Sequence, residues 1–141
     1  MAPTQAVRSK LMKIAWTMLC GLLMTSAVAA AELPIEQIYG SAAGCATAAK
    51  ASDIPGGKVV AVTPEHVLSG DAVCPFLAIA DGKSDDPANK AWEADISCEA
   101  GHEEAVPGKL LIVHNAAEDK LTLSVLDGDG PKGTLAACPA P

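Results

Sequence analysis

The sequence predicts a mainly β domain: a small antiparallel meander or barrel of five to six strands, with a short N-terminal helical segment and two disulfides. Three observations predict it. Short aliphatic runs recur between turns rich in Gly, Pro and Asp. One of them, Lys120–Val125, alternates strictly, with Leu121, Leu123 and Val125 facing in. Four cysteines, Cys45, Cys74, Cys98 and Cys138, remain once a leader is set aside, and an even count in a small exported domain implies a disulfide framework.

Residues 1–31 read as that leader, a signal peptide. Arg8, Lys10 and Lys13 form a basic start, and Ile14–Met24 is an apolar run shorter than the roughly 20 residues a bilayer span needs. Thr25–Ala31 supplies small residues, with cleavage options after Ala29, Ala30 or Ala31. Bulky Met18-Leu19 before Cys20 argues against a lipoprotein anchor, so Cys20 leaves with the leader. Residues 32–141 then form one disulfide-stapled β domain, periplasmic or secreted, with no stable membrane insertion after cleavage.

From Glu32 to Asp53 the chain is Ala-rich and suits short helical turns or a helix, interrupted at Gly40 and Gly44. Ile54-Pro55-Gly56-Gly57 is a turn, and Lys58–Val62 a β-branched strand. Thr63-Pro64-Glu65-His66 suits one helical turn, Thr63 capping and Pro64 at its first position. Ser69-Gly70-Asp71 turns the chain into a hairpin. Beyond Cys98, strands are expected at Lys109–His114, Lys120–Val125 and Gly133–Cys138, joined by Asn115–Asp119 and Asp127–Pro131.

The hairpin Cys74–Cys98 organises the rest. Folding it about Asp86 puts Cys74 opposite Cys98, Phe76 opposite Ile96, Ala78 opposite Ala94 and Ala80 opposite Trp92, all on one face. Glu93, Asp95 and Ser97 fall on the other face, so a slip by one residue would bury carboxylates. Opposed cysteines in antiparallel strands are within disulfide reach. Cys74–Cys98 is the expected bridge, leaving Cys45–Cys138 to tie the start of the domain to its end.

Without the leader, seven lysines and no arginine face 17 acidic residues, a net charge of about −10. Such a chain is a poor binder of nucleic acid or anionic membrane and attracts cationic partners or metal ions. The acidic residues gather in candidate partner-binding loops: Asp81, Asp85 and Asp86; Glu99, Glu103 and Glu104; Glu118 and Asp119. The loops at Asp81–Asp86 and Glu118–Asp119 should open at the same end of alternate hairpins.

Catalytic signatures do not appear. There is no G-x-S-x-G, no phosphate-cradling glycine pattern and no C-x-x-C. Asp127-Gly128-Asp129-Gly130 resembles the opening of a calcium loop, but its twelfth position is Cys138. His102-Glu103-Glu104 could contribute imidazole and carboxylate to a metal, in a spacing that matches no zinc pattern. The expectation is a non-enzyme without cofactor.

The order Tyr39-Gly40, Cys45, Thr63-Pro64, Cys74-x-Phe76, Trp92-x5-Cys98, Leu121-x-Leu123 and Cys138-Pro139 resembles small exported four-cysteine bacterial proteins of uncharacterised function. In architecture the chain is also similar to the periplasmic C-type lysozyme inhibitors, small disulfide-bearing β-barrels. Ile96–Gly101 is similar to their strand-end Cys-x-x-Gly region. Their Ser-Gly-x-x-Tyr inhibitory loop has no counterpart, since Ser69-Gly70 is followed by Asp71-Ala72-Val73. The charge gives the expectation of a binding protein for a cationic partner, and the architectural similarity makes inhibition of a lysozyme the case to try first, with no functional residue carried over from that family. The alternative is a small metal-binding or envelope scaffold protein using the His102 loop.

Overall fold

A computed structural model describes residues 30–141; the leader and Cys20 lie outside the described residues, except for Ala30 and Ala31. Eight strands form a closed antiparallel barrel in chain order: β1 (Tyr39–Gly40), β2 (Val60–Val62), β3 (His66–Ser69), β4 (Ala72–Asp81), β5 (Lys90–Cys98), β6 (Val106–Asn115), β7 (Lys120–Gly128) and β8 (Gly133–Ala137). Each strand pairs with the next, and β8 returns to β1. Among the described residues one helix, α1 (Ala42–Ala48), lies between β1 and β2. Closure removes the free edges a meander would expose.

Two strands beyond the expected six account for closure, and both are short. The helical turn expected at Thr63–His66 is instead a tight hairpin turn. Thr63 Oγ1 accepts from the N–H groups of Glu65 and His66, at 3.3 and 3.1 Å, and the Thr63 N–H donates to the His66 carbonyl at 2.9 Å. That side chain caps a β-turn as readily as a helix, and β3 follows at once. At the start of the domain, Glu32–Ile38 is irregular rather than helical, with a bend at Glu36–Gln37 before β1. Leu33 is fully buried against the barrel core and its N–H donates to the Pro64 carbonyl at 2.7 Å. Burial of Leu33 outweighs local helix propensity, and the helix is confined to 42–48, capped by Ser41 accepting from the Gly44 N–H.

Both disulfides take the expected nested pairing, Cys45–Cys138 and Cys74–Cys98. The hairpin register holds at Phe76–Ile96 and then shifts by one at a bulge. Ala78 lies opposite Asp95, Ile79 opposite Ala94 and Asp81 opposite Trp92, with Leu77 the extra residue, 60% exposed. Ala78 and Ala80 therefore face solvent, contrary to the regular register, while Ile79 packs against the core. The bulge buries the larger side chain on β4 without turning Glu93 or Asp95 inward. A second bulge on β7 displaces Leu126. The interior is filled by Tyr39, Val62, Val67, Phe76, Trp92, Ile96, Leu110, Ile112, Leu121 and Leu123 among others.

Antiparallel order fixes which loops share an end. The β2–β3, β4–β5 and β6–β7 connections open at one end, beside the segment that enters β1 and the chain's C-terminal tail. The connections β3–β4, β5–β6 and β7–β8 open at the other.

Candidate functional site at the barrel mouth

Strand parity brings a polar group into the barrel's mouth. On β6, Leu110 and Ile112 point inward, and His114 continues that row at the strand's end, half-buried. On β1, Tyr39 points inward and is 2% exposed. The β6–β7 turn then folds Asp119 over both, in a left-handed conformation (φ 52°) that aspartate tolerates better than most residues.

The Tyr39 hydroxyl donates to Asp119 Oδ1 at 2.8 Å. Gln37 Nε2 donates to both Asp119 oxygens, at 3.0 and 2.9 Å, and lies 3.0 Å from the Tyr39 hydroxyl. His114 Nε2 stands 3.0 Å from the Tyr39 hydroxyl and 3.4 Å from Asp119 Oδ1. The single phenolic proton goes to Asp119, so the His114–Tyr39 bond requires the proton to sit on Nε2. The Tyr39 and His114 rings meet edge to face, centroids 5.5 Å apart.

Electrostatics follow from these bonds. Tyr39 above all, and Gln37 next, hold the Asp119 carboxyl below the usual carboxylate range by donating to its charged form. Burial pushes the Tyr39 phenol above its ordinary value, and the Asp119 charge adds to this against the opposing bond from Gln37. At neutral pH the group is a carboxylate against a neutral phenol.

Beside it opens a cleft of about 510 Å³, lined by Pro34, Ile35, Glu36, Gln37, Tyr39, His114 and Asp119. Mouths of β-barrels are a recurrent place for ligand sites. Its lining combines apolar surface from Pro34 and Ile35 with the carboxylates of Glu36 and Asp119.

Of the residues singled out from sequence, Asp81, Asp85, Asp86, Glu118 and Asp119 share this end of the barrel, as expected for alternate hairpins. Asp86 is tied into its own loop, its carboxylate accepting from the Ala88 N–H at 2.9 Å. Glu118 pairs with Lys120 at 3.4 Å across an exposed surface. Glu99, Glu103 and Glu104 lie at the opposite end, with His102, so the three loops do not form one acidic face. Among the described residues, no three His, Cys, Asp or Glu side chains are grouped to hold a metal ion. Sequence reasoning passed over Gln37, Tyr39 and His114. One signal was present: His114 falls in phase with the inward Leu110 and Ile112 at the end of an aliphatic strand.

Comparison with protein-family models, curated proteins and solved structures finds no match to this chain.

Proposed function

We propose that this is an exported binding protein, not an enzyme, which engages a cationic protein or peptide at the cleft end of its barrel in the periplasm or outside the cell. The observation that carries the reading is the coincidence at one end of the acidic segments Asp81–Asp86 and Glu118–Asp119 with the cleft between Glu36 and Asp119. Both ends of the barrel carry carboxylates, so charge supplies attraction and on-rate without choosing an end. The cleft supplies what charge lacks, a concave surface with fixed polar groups and some apolar lining. The donors of the mouth are spent within it, the Tyr39 proton on Asp119 and the His114 Nε2 proton on Tyr39, which suits holding a shape better than reacting. Two disulfides fit an oxidising compartment.

A C-type lysozyme is the first partner to try. Lysis of bacterial cell walls by the enzyme is followed with the exported protein added, at low and moderate ionic strength. Inhibition that is strongest at low salt is the expected result. Unchanged lysis at a large molar excess, even at low salt, removes lysozyme as the partner.

A further inference from the structure

We infer that the cleft receives a primary ammonium group, the head of a lysine side chain or of a free alkylamine, in preference to a guanidinium. The inference rests on the binding reading above and narrows it to one chemistry.

The acceptors left open in the cleft decide the matter. Asp119 Oδ1 already takes bonds from Tyr39 and Gln37, with His114 at 3.4 Å, so its capacity is filled. Oδ2 takes one bond, from Gln37, and has room for more. A guanidinium gains its advantage on a carboxylate by engaging both oxygens with its planar fork, and here one of the two is occupied. What remains is a set of single acceptors on different residues: Asp119 Oδ2, the Glu36 carboxylate, and the Gln37 carbonyl oxygen, which has no hydrogen-bond partner among the described residues. A compact ammonium with three donors disposed tetrahedrally meets such a set better than a flat fork does. Pro34 and Ile35, on the same cleft, offer apolar surface to the methylene stem that carries the ammonium. Glu36 and Asp119 supply the negative charge, and Asp119 keeps it at neutral and mildly acidic pH because its carboxyl is bonded in the charged form.

The geometry also says what holds the site together. Gln37 and Glu36 belong to the segment entering β1, and Asp119 to the β6–β7 turn, so these residues line one cleft only while the Gln37–Tyr39–Asp119 bonds hold the two pieces side by side. Glu36 takes no part in those bonds and is exposed. It can be neutralised without loosening the mouth.

The test is a titration of the ¹⁵N-labelled exported protein, followed by backbone amide NMR, with Nα-acetyl-lysine amide, cadaverine and Nα-acetyl-arginine amide in separate arms. Saturable shifts at Gln37, Tyr39, His114 and Asp119 are expected with the lysine compound. The arginine compound should bind roughly tenfold more weakly, about the worth of one charge-assisted hydrogen bond. Glu36→Gln should weaken the lysine compound by a similar factor with an unchanged melting temperature. Cadaverine binding several-fold tighter than the lysine amide supports the ammonium site with a free amine as its source; the reverse order supports a protein lysine. Arginine amide binding as tightly as lysine amide overturns the inference. So do shifts spread equally over Glu99–Glu104 at the opposite end. If a cationic protein binds but no amine perturbs the cleft, this inference fails while the binding reading stands. If the amine saturates the cleft and no cationic protein binds, the binding reading fails instead.

Discussion

The Tyr39 hydroxyl is the residue-scale centre of the barrel mouth. It is buried, and its proton is committed to a carboxylate from a strand turn 80 residues away in the chain. Tyr39→Phe keeps the ring and its edge contact with His114 but removes the bond to Asp119. The variant should be less stable, with a lower midpoint in urea denaturation. The two shifted groups also give a pH signature. Asp119 has its folded pKa depressed, so its contribution is present above the ordinary carboxylate pKa and is lost as pH falls through the lower folded value. Tyr39 has its folded pKa raised, so its contribution is full below the ordinary tyrosine pKa and is lost as pH rises through the higher folded value. Asp119→Asn should flatten the acid limb of the stability profile, measured by denaturation across a pH series, while Tyr39→Phe flattens the alkaline limb. An unchanged acid limb in Asp119→Asn would show that these bonds do not form in solution.

At the scale of elements, α1 and β4 show where local rules give way to packing. Gly44 lies inside α1, where alanine is preferred by about 1 kcal/mol. A Cβ there would collide with the Val60 carbonyl oxygen of β2, a backbone atom that has no room to give. Gly44→Ala should therefore destabilise the protein despite its helix propensity, by more than the propensity gain, as read from its urea midpoint. On β4 the bulge leaves Phe76 inside and Leu77 outside and changes the facing of the residues after them. Leu77→Lys should fall within about 0.5 kcal/mol of the parent, whereas Phe76→Ala should cost about 3–5 kcal/mol. A regular register gives the same answer for Phe76 but would make Ala78 the next interior residue, so Ala78→Glu, tolerated here, separates the two registers. Much of the architecture was legible in the sequence because period-two alternation and cysteine parity are local patterns: β5, β6, β7, both disulfides and the shared end of two acidic loops all follow from them. The bulge was not, since it depends on Ile79 outcompeting Ala78 for interior space that only the closed barrel defines. Strands β1 and β3 were not, because two and four residues are too short to show a period. The mouth cluster was hidden for the same kind of reason. Gln37 and Tyr39 reach His114 and Asp119 only after closure, across 75 to 82 residues of chain.

Closure of the whole barrel depends on its weakest seam. Strands β4 to β7 form long ladders, but β1 offers two residues to β8 on one side and two to β2 on the other. Two pairs on each side are too few to hold an edge shut unaided, since a short ladder returns little for the backbone entropy it fixes. Three further ties sit at this seam. The Cys45–Cys138 disulfide links the helix after β1 to the residue after β8, across a sequence separation of 93. The Cys138 N–H donates to the Ile38 carbonyl at 2.7 Å. The Tyr39–Asp119 bond reaches past β8 to the β6–β7 turn. Amide hydrogen exchange should accordingly show a gradient in the intact protein, slowest in β5, β6 and β7 and faster at Tyr39, Gly40 and Ala137. In a Cys45→Ala/Cys138→Ala variant the seam amides should exchange far faster while those of β6 stay protected relative to them, and the Glu36–Asp119 cleft, built across the seam, should lose its definition. Equal acceleration of seam and β6 amides would mean that this disulfide stabilises the fold globally rather than closing one edge of it.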